Sequence, residues 1–221
     1  LKMNWKEIPV YVVDFEGSTH TGIVEYGVAT LLGAEIIDTR TRLCCPENEI
    51  RECDVFFHGI RHELAAKEAP FSDEWDYFCG LRKRGPLAAH HASVENNFIK
   101  RVWPYPPNCP DFLNPGDEVA CWGDWVDTCA LYKKIYPGLE CYKLSHLIKQ
   151  FQLHEVLNGL AKQHCPGGRQ VYHCALYDAL ASALLLKRLD ALEGFESMTL
   201  EWLLRMSNTK GDSAMQMNLG L

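Results

Sequence analysis

Two carboxylates stand one residue apart at the end of an apolar run, Tyr11-Val12-Val13-Asp14-Phe15-Glu16-Gly17-Ser18. A β-strand sends alternate side chains to opposite faces, so Asp14 and Glu16 emerge side by side if the strand persists through Glu16. Like charges held together repel unless something neutralises them. A divalent cation does so through carboxylate oxygens. A strand running into a polar turn at Gly17-Ser18 would explain the same residues without a metal. Later in the chain, His173 and Asp178 lie near the start of Tyr172 to Leu189, the most strongly helical stretch. A carboxylate among Ala, Leu and Tyr is costly unless partnered, which makes Asp178 a candidate third ligand. The alternative is an acid favoured near a helix start by the dipole. His173 is either a capping or packing residue or a general base, since imidazole titrates near working pH. Glu95 follows His90-His91-Ala92 in the first turn of another helix, and is either a dipole-favoured acid or a fourth carboxylate. A strand-end pair, two helix-borne acids and one histidine can build a two-metal site for phosphoryl transfer, with ions about 4 Å apart that activate a water and stabilise the leaving oxygen.

The elements that must position these residues follow from periodicity and punctuation. Val10–Val13, Gly22–Leu32 and Ala34–Leu43 read as three successive strands with short connections, an antiparallel meander. Residues 46–68 read as loop. Residues 70–81 read as a helix capped by Ser72, with Trp75, Phe78 and Cys79 on one face. A short strand over 86–89 precedes a helix over 93–102. Residues 103–118 hold five prolines, which remove donors and fix φ, so no regular structure is expected there. A fifth strand is expected over 119–125, then a helix from Asp127-Thr128 to Ile135, another over 144–151, a flexible turn over 164–170 and a last helix over 199–206. Strands first and helices later predict a mixed sheet covered by helices.

The totals exclude several classes. The chain has 221 residues, 47% hydrophobic and 23% charged, an ordinary globular composition with enough chain for a good core. No run is long enough to span a membrane, and no apolar leader opens the sequence, which points to a cytoplasmic protein. The first residue, Leu1, is consistent with a processed or trimmed end. The ten cysteines lack CxxC spacing and read as reduced, mostly buried thiols, with a zinc site around His164 and Cys165 as a weaker alternative. A net charge of −7 argues against binding nucleic acid by bulk electrostatics but not against a local metal site. Basic clusters such as Arg82-Lys83-Arg84 and Lys187-Arg188 read as solvated faces.

In order, the motifs Asp14-x-Glu16, His90-x-Ala92-x-x-Glu95 and His173-x4-Asp178 resemble those of the DEDDh 3′-to-5′ exonucleases, which include replicase proofreading subunits, RNase T and oligoribonuclease. His58-Gly59-Ile60 resembles the family's HGI loop, Trp125-Val126-Asp127-Thr128 its W-x-D-T segment, and Tyr142 to Leu147 its Y-x-L-x-x-L segment. The resemblance runs from about Val10 to Leu189. It implies a ribonuclease H-like five-stranded mixed sheet, three strands antiparallel and then parallel ones, flanked by helices. It implies one exonuclease domain over 1–206; residues 207–221, polar and glycine-containing, read as a mobile tail. It implies two Mg²⁺ or Mn²⁺ ions, Asp14 bridging both, Glu16 and Asp178 completing the first, and Glu95 supporting the second. His173 would deprotonate the nucleophile. Phe15, Gly17, Ser18 and His58 would sit against the terminal nucleotide, with Phe15 as a stacking ring. The implied substrate is a single-stranded DNA or RNA 3′ end, and a polymerase or a second copy of the chain is the implied partner. Two positions depart from the family's His-Asn-Ala-x-Phe-Asp pattern: His91 stands for Asn and Glu95 for Asp. Those departures support the rival reading, a non-catalytic nucleic-acid-binding or partner-docking module on the same fold.

Overall fold

The computed structural model describes residues 3–195 and 198–208. After a 3₁₀ turn at Trp5–Glu7, the chain forms β1 (Val10–Ser18), β2 (Gly22–Leu32) and β3 (Glu35–Leu43). Two short helices follow, α1 (Glu52–His58) and α2 (His62–Ala65), then a 3₁₀ turn into α3 (Trp75–Arg84). Next come β4 (Leu87–Ala89), α4 (Ala92–Val102), the two-residue strands β5 (Cys109–Pro110) and β6 (Glu118–Val119), and β7 (Val126–Asp127). The remainder is helical: α5 (Thr128–Ile135), α6 (Leu144–Gln150), α7 (His154–His164), α8 (Ala175–Asp190) and α9 (Leu200–Ser207).

The five-stranded sheet has the order β3-β2-β1-β4-β7. β1 pairs antiparallel with β2 and parallel with β4, and β4 pairs parallel with β7. The expected mixed sheet is therefore present. Its two faces bury separate cores, and strand alternation assigns β1's residues between them. Val10 and Val12 pack under α8 with Leu176, Leu180 and Leu184, while Tyr11, Val13 and Phe15 pack against Phe71, Phe78 and Trp122. Asp14 and Glu16 continue the α8 side. Gly27, opposite Asp14, lets α8 lie directly on the sheet, because a Cβ there would stand 2.3 Å from the Ala175 carbonyl carbon. Helix α8 is buried almost all round, as its composition predicts.

Several local expectations are corrected. Residues 46–68 contain α1 and α2 rather than only loop; Phe56 and Phe57 are exposed, so no apolar stripe marks the helix, and it ends at Gly59 with φ 70°. Ser72 makes no cap; it lies inside the 3₁₀ turn before α3. The proline-rich excursion is tied down by the β5–β6 ladder, with Cys109 fully buried. The fifth strand of the main sheet is Val126–Asp127, whereas Val119 pairs with Cys109. Helix α7 fills a segment that sequence reading leaves unassigned. Arg82 is not on a solvated face: it is 2% exposed and donates to the Pro110 carbonyl at 2.9 Å. Arg169 in the 164–170 turn is ion-paired rather than loose. All ten cysteines are free; His164 is bonded to Thr39 and no metal-capable cluster among the described residues includes it or Cys165. Among the described residues no helix is long and apolar enough to cross a membrane. Ser207 is a buried helical residue, not tail, and the rest of the expected tail beyond Asn208 lies outside the described residues.

Candidate active site

β1, α4 and α8 bring the four acids together. Asp14 and Glu16 project from the carboxyl half of β1 beneath the amino end of α8. Asp178 hangs from the first turn of α8 and is 8% exposed. Its Oδ2 accepts the His173 backbone N–H at 3.0 Å, while its buried Oδ1 has no hydrogen-bond partner. Glu95 is 5% exposed in the first turn of α4 and reaches across to β1, where Oε2 accepts the Phe15 N–H at 3.0 Å. Ligand atoms of Glu16, His173 and Asp178 lie within 4.8 Å of one another. Asp14, His90, His91, Lys143, His173 and Asp178 line a cavity of about 390 Å³.

The site is short of positive charge. Burial, then repulsion from Glu95, Asp178, Glu16 and Glu25, holds the Asp14 carboxyl well above the usual range. Burial and then Glu16 raise Glu95. Glu16 is pushed up to about 8, by burial and then by Asp178 and Glu25, with Arg169 opposing. Asp178 is pushed up to about 7, chiefly by burial. A partnerless buried oxygen beside three further carboxylates is the donor set a hard divalent cation takes. The residues therefore fit the metals that the resemblance implies.

His173 precedes the helix instead of opening it. It stands one residue before the α8 N-cap, Cys174, in a left-handed conformation (φ 63°), with an exposed ring. That conformation aims its N–H back at Asp178 and leaves the imidazole at the cavity mouth, where the Phe57 ring meets it edge-on at 6.3 Å.

The residues expected against a nucleotide are less uniform. Phe15 is corrected: its ring is 5% exposed and packs edge-on to Phe71 at 5.3 Å. One position removed from Asp14 and Glu16, it faces the opposite side of the sheet, so it is no stacking surface for a ligand. Ser18 is committed to the β1–β2 turn, where its Oγ accepts the Thr21 N–H at 3.2 Å and its N–H reaches Thr21 Oγ1 at 3.0 Å. Gly17 has φ 148° and its Cβ position is filled by the Gly22 carbonyl, so glycine is required. His58 is buried with Nδ1 accepting the Ile60 N–H at 3.1 Å, while its Nε2 lacks a partner.

Sequence reading missed the support behind the acids. Glu25 of β2 sits opposite Glu16, is 3% exposed, and pairs with both Nε and Nη2 of Arg169. Its Oε2 also accepts the Ala175 N–H at 2.9 Å at the start of α8, and Arg169 Nη1 donates to the His58 carbonyl. One buried ion pair thus fastens β2, α1 and α8 around the acids. Asp127 does similar work on the other wall, accepting the N–H groups of Cys129 and Ala130 as the α5 cap and of His91 and Ala92 from the next strand end.

A mixed sheet with acids at the end of its central strand, overlaid by a helix carrying another, is the fold of the ribonuclease H-like DEDDh exonucleases. Among solved structures the chain is similar to Exonuclease X in complex with 5′-overhanging duplex DNA, at TM-score 0.64 and 22% identity over 90% of this chain and 99% of that one. It is similar to the nuclease domain of 3′hExo, a DEDDh family member bound to rAMP, at TM-score 0.58 and 15% identity over 89% and 98% of the two chains. Among curated proteins it resembles a PolC-type DNA polymerase III from Halalkalibacterium halodurans, 25% identical over 195 residues. That match takes in 85% of this chain but 12% of the polymerase. No protein-family model matches.

The raised carboxyl groups make a prediction for the metal-free protein. In the unfolded chain Glu16 and Asp178 ionise near their ordinary values of 4.5 and 3.8; folded, they hold protons to about 8 and about 7. Across that window the folded state binds more protons, so stability is lost as pH rises, by roughly 1 kcal/mol per pH unit for each extra proton held. In chelator, the melting temperature should fall between about pH 5 and about pH 8, and saturating Mg²⁺ should flatten the slope. Identical slopes with and without Mg²⁺ would show that no cation meets these acids.

Proposed function

We propose that the chain is a metal-dependent 3′-to-5′ exonuclease that hydrolyses the terminal phosphodiester of DNA or RNA and releases nucleoside 5′-monophosphates. The observation that carries the reading is the convergence of Asp14, Glu16, Glu95 and Asp178 from three elements with Asp178 Oδ1 unpartnered. Asp14, Glu16 and Asp178 would hold one divalent cation, and Asp14 with Glu95 the second. When bound, such a pair supplies the positive charge that an attacking water and a leaving oxygen need.

The chain's own residues do the rest. His173, exposed at the mouth and restrained through its N–H, takes the proton from the attacking water. Asp178 would thus restrain the base through one carboxylate oxygen and offer the other to a metal. The Arg169–Glu25 pair keeps the α1 end and the α8 start at fixed separation. Phe56 and Phe57, 84% and 64% exposed, stack edge-on at 5.6 Å beside His173 and give unpaired bases a surface to stack on. Phe57→Ala should raise KM for a single-stranded oligonucleotide by about tenfold, the loss of one base stack, with kcat little changed. A fall confined to kcat would place the ring elsewhere. The likeness to a segment of a PolC-type polymerase supports action beside a polymerase.

The direct test is an end-labelled single strand of DNA or RNA incubated with Mg²⁺ or Mn²⁺. Stepwise shortening from the 3′ end is expected. Binding without cleavage in either metal, on single strands and on overhangs, would leave the binding-module reading in its place.

A further inference from the structure

His90 and His91 line the same cavity, and with Cys129 behind them they form a second cluster of ligands that takes no part in the reading above. We propose that His90, His91 and Cys129, with the Tyr142 carbonyl, form a binding site for one divalent cation of the borderline-soft, zinc-like class. One ligand atom each from His90, His91 and Cys129 lies within 4.8 Å of the others. Tetrahedral zinc arms of about 2.0–2.3 Å place ligand atoms about 3.3–3.8 Å apart, so the three side chains close in slightly while the 2.8 Å between His90 Nε2 and the Tyr142 oxygen opens by about half an ångström. His91 is exposed and can supply that movement, and its ring already meets that of His90 at 5.0 Å.

The hydrogen bonds favour this assignment. The Tyr142 carbonyl is approached by two donors at once, His90 Nε2 at 2.8 Å and the Cys129 thiol at 3.8 Å. A carbonyl only accepts, so Nε2 carries the imidazole proton and Nδ1 faces Thr128 Oγ1 at 2.8 Å. Replacing the two converging hydrogens by a cation gives the carbonyl, the ring nitrogen and the sulfur a shared partner. The imidazole proton then moves to Nδ1 and is donated to Thr128 Oγ1, whose hydroxyl turns from Nδ1 to the Ala89 carbonyl 3.4 Å away. That is the outer partner a metal-bound histidine requires. The thiol loses its proton to solvent, so one proton is released per ion bound. Burial holds the Cys129 thiol above its ordinary range and Lys133 offsets only part of that, so the cation itself draws off the proton. The donor set of two imidazoles, a thiolate and a carbonyl suits zinc and not Mg²⁺, whose preferred ligands are all oxygen. An ion here would fasten the Tyr142 segment to the end of β4. His91 is also one of the two departures from the family pattern, and this gives it a use.

The test separates this site from the carboxylate site. In the Asp14→Asn protein, Co²⁺ should produce a thiolate-to-cobalt charge-transfer band, which a carboxylate site lacking sulfur does not give. One equivalent of Zn²⁺ should abolish it. Adding His91→Asn should weaken Co²⁺ binding by about 10- to 100-fold, and Cys129→Ser should remove the band. His91 is on the surface, so its variant decides the matter even if the buried Cys129 substitution fails to fold. No band, or a band unchanged in the His91→Asn protein, overturns the site. None of these readouts depends on nuclease activity.

Discussion

Replacing Asp14 by asparagine should abolish 3′ shortening while making the metal-free protein more stable. Asparagine keeps the shape and removes the charge. On the proposed reading Asp14 meets both metals, whose charge stabilisation is worth several kcal/mol, so the rate should fall by about 10³-fold or more. In the metal-free fold the same carboxyl is half-buried and crowded by Glu95, Asp178, Glu16 and Glu25, and its raised pKa records an unfavourable charge. Removing it relieves repulsion, so the melting temperature in chelator should rise, and the gain given by Mg²⁺ should shrink. Activity measured alongside thermal unfolding checks both halves. A variant that loses activity and also melts lower without metal would mean that Asp14 is structural. An active variant would remove the two-metal reading.

The second large effect concerns stability. Arg169→Met should destabilise the fold by about 3–5 kcal/mol, because it leaves Glu25 charged, buried and without its cation next to Glu16. Adding Glu25→Gln should recover most of that loss, since glutamine still accepts from Ala175 N while carrying no charge. Denaturant unfolding of both single variants and the double variant gives the coupling. Additive losses would show that the pair is not a unit. Arg169 also holds the His58 carbonyl, so the double variant should keep its stability yet loosen the α1 end.

The acids proposed to carry the chemistry were legible because local rules constrain them. A carboxylate pair at i and i+2 on a strand shares a face whatever the rest of the chain does. The same parity rule was available for Phe15 and places it on the other face; the motif resemblance drew it toward the ligand against that rule. Helix α8 announced itself by composition. Helix α1 did not, since its large apolar side chains, Phe56 and Phe57, face solvent rather than a core. The fifth strand was misplaced by a few residues because two-residue strands carry no periodicity.

By itself, the sequence determined which residue types were on hand and which strand face each would take: Asp14 and Glu16 together, Asp178 near a helix start, Glu95 in a first turn. Only the tertiary structure decided their partners. Glu25 and Arg169 are 144 positions apart and His90 meets Tyr142 across 52. No local pattern reports such a pairing, because the hydrogen bond and the buried charge that define it come into being when β2 and α8, or β4 and the segment before α6, are packed together.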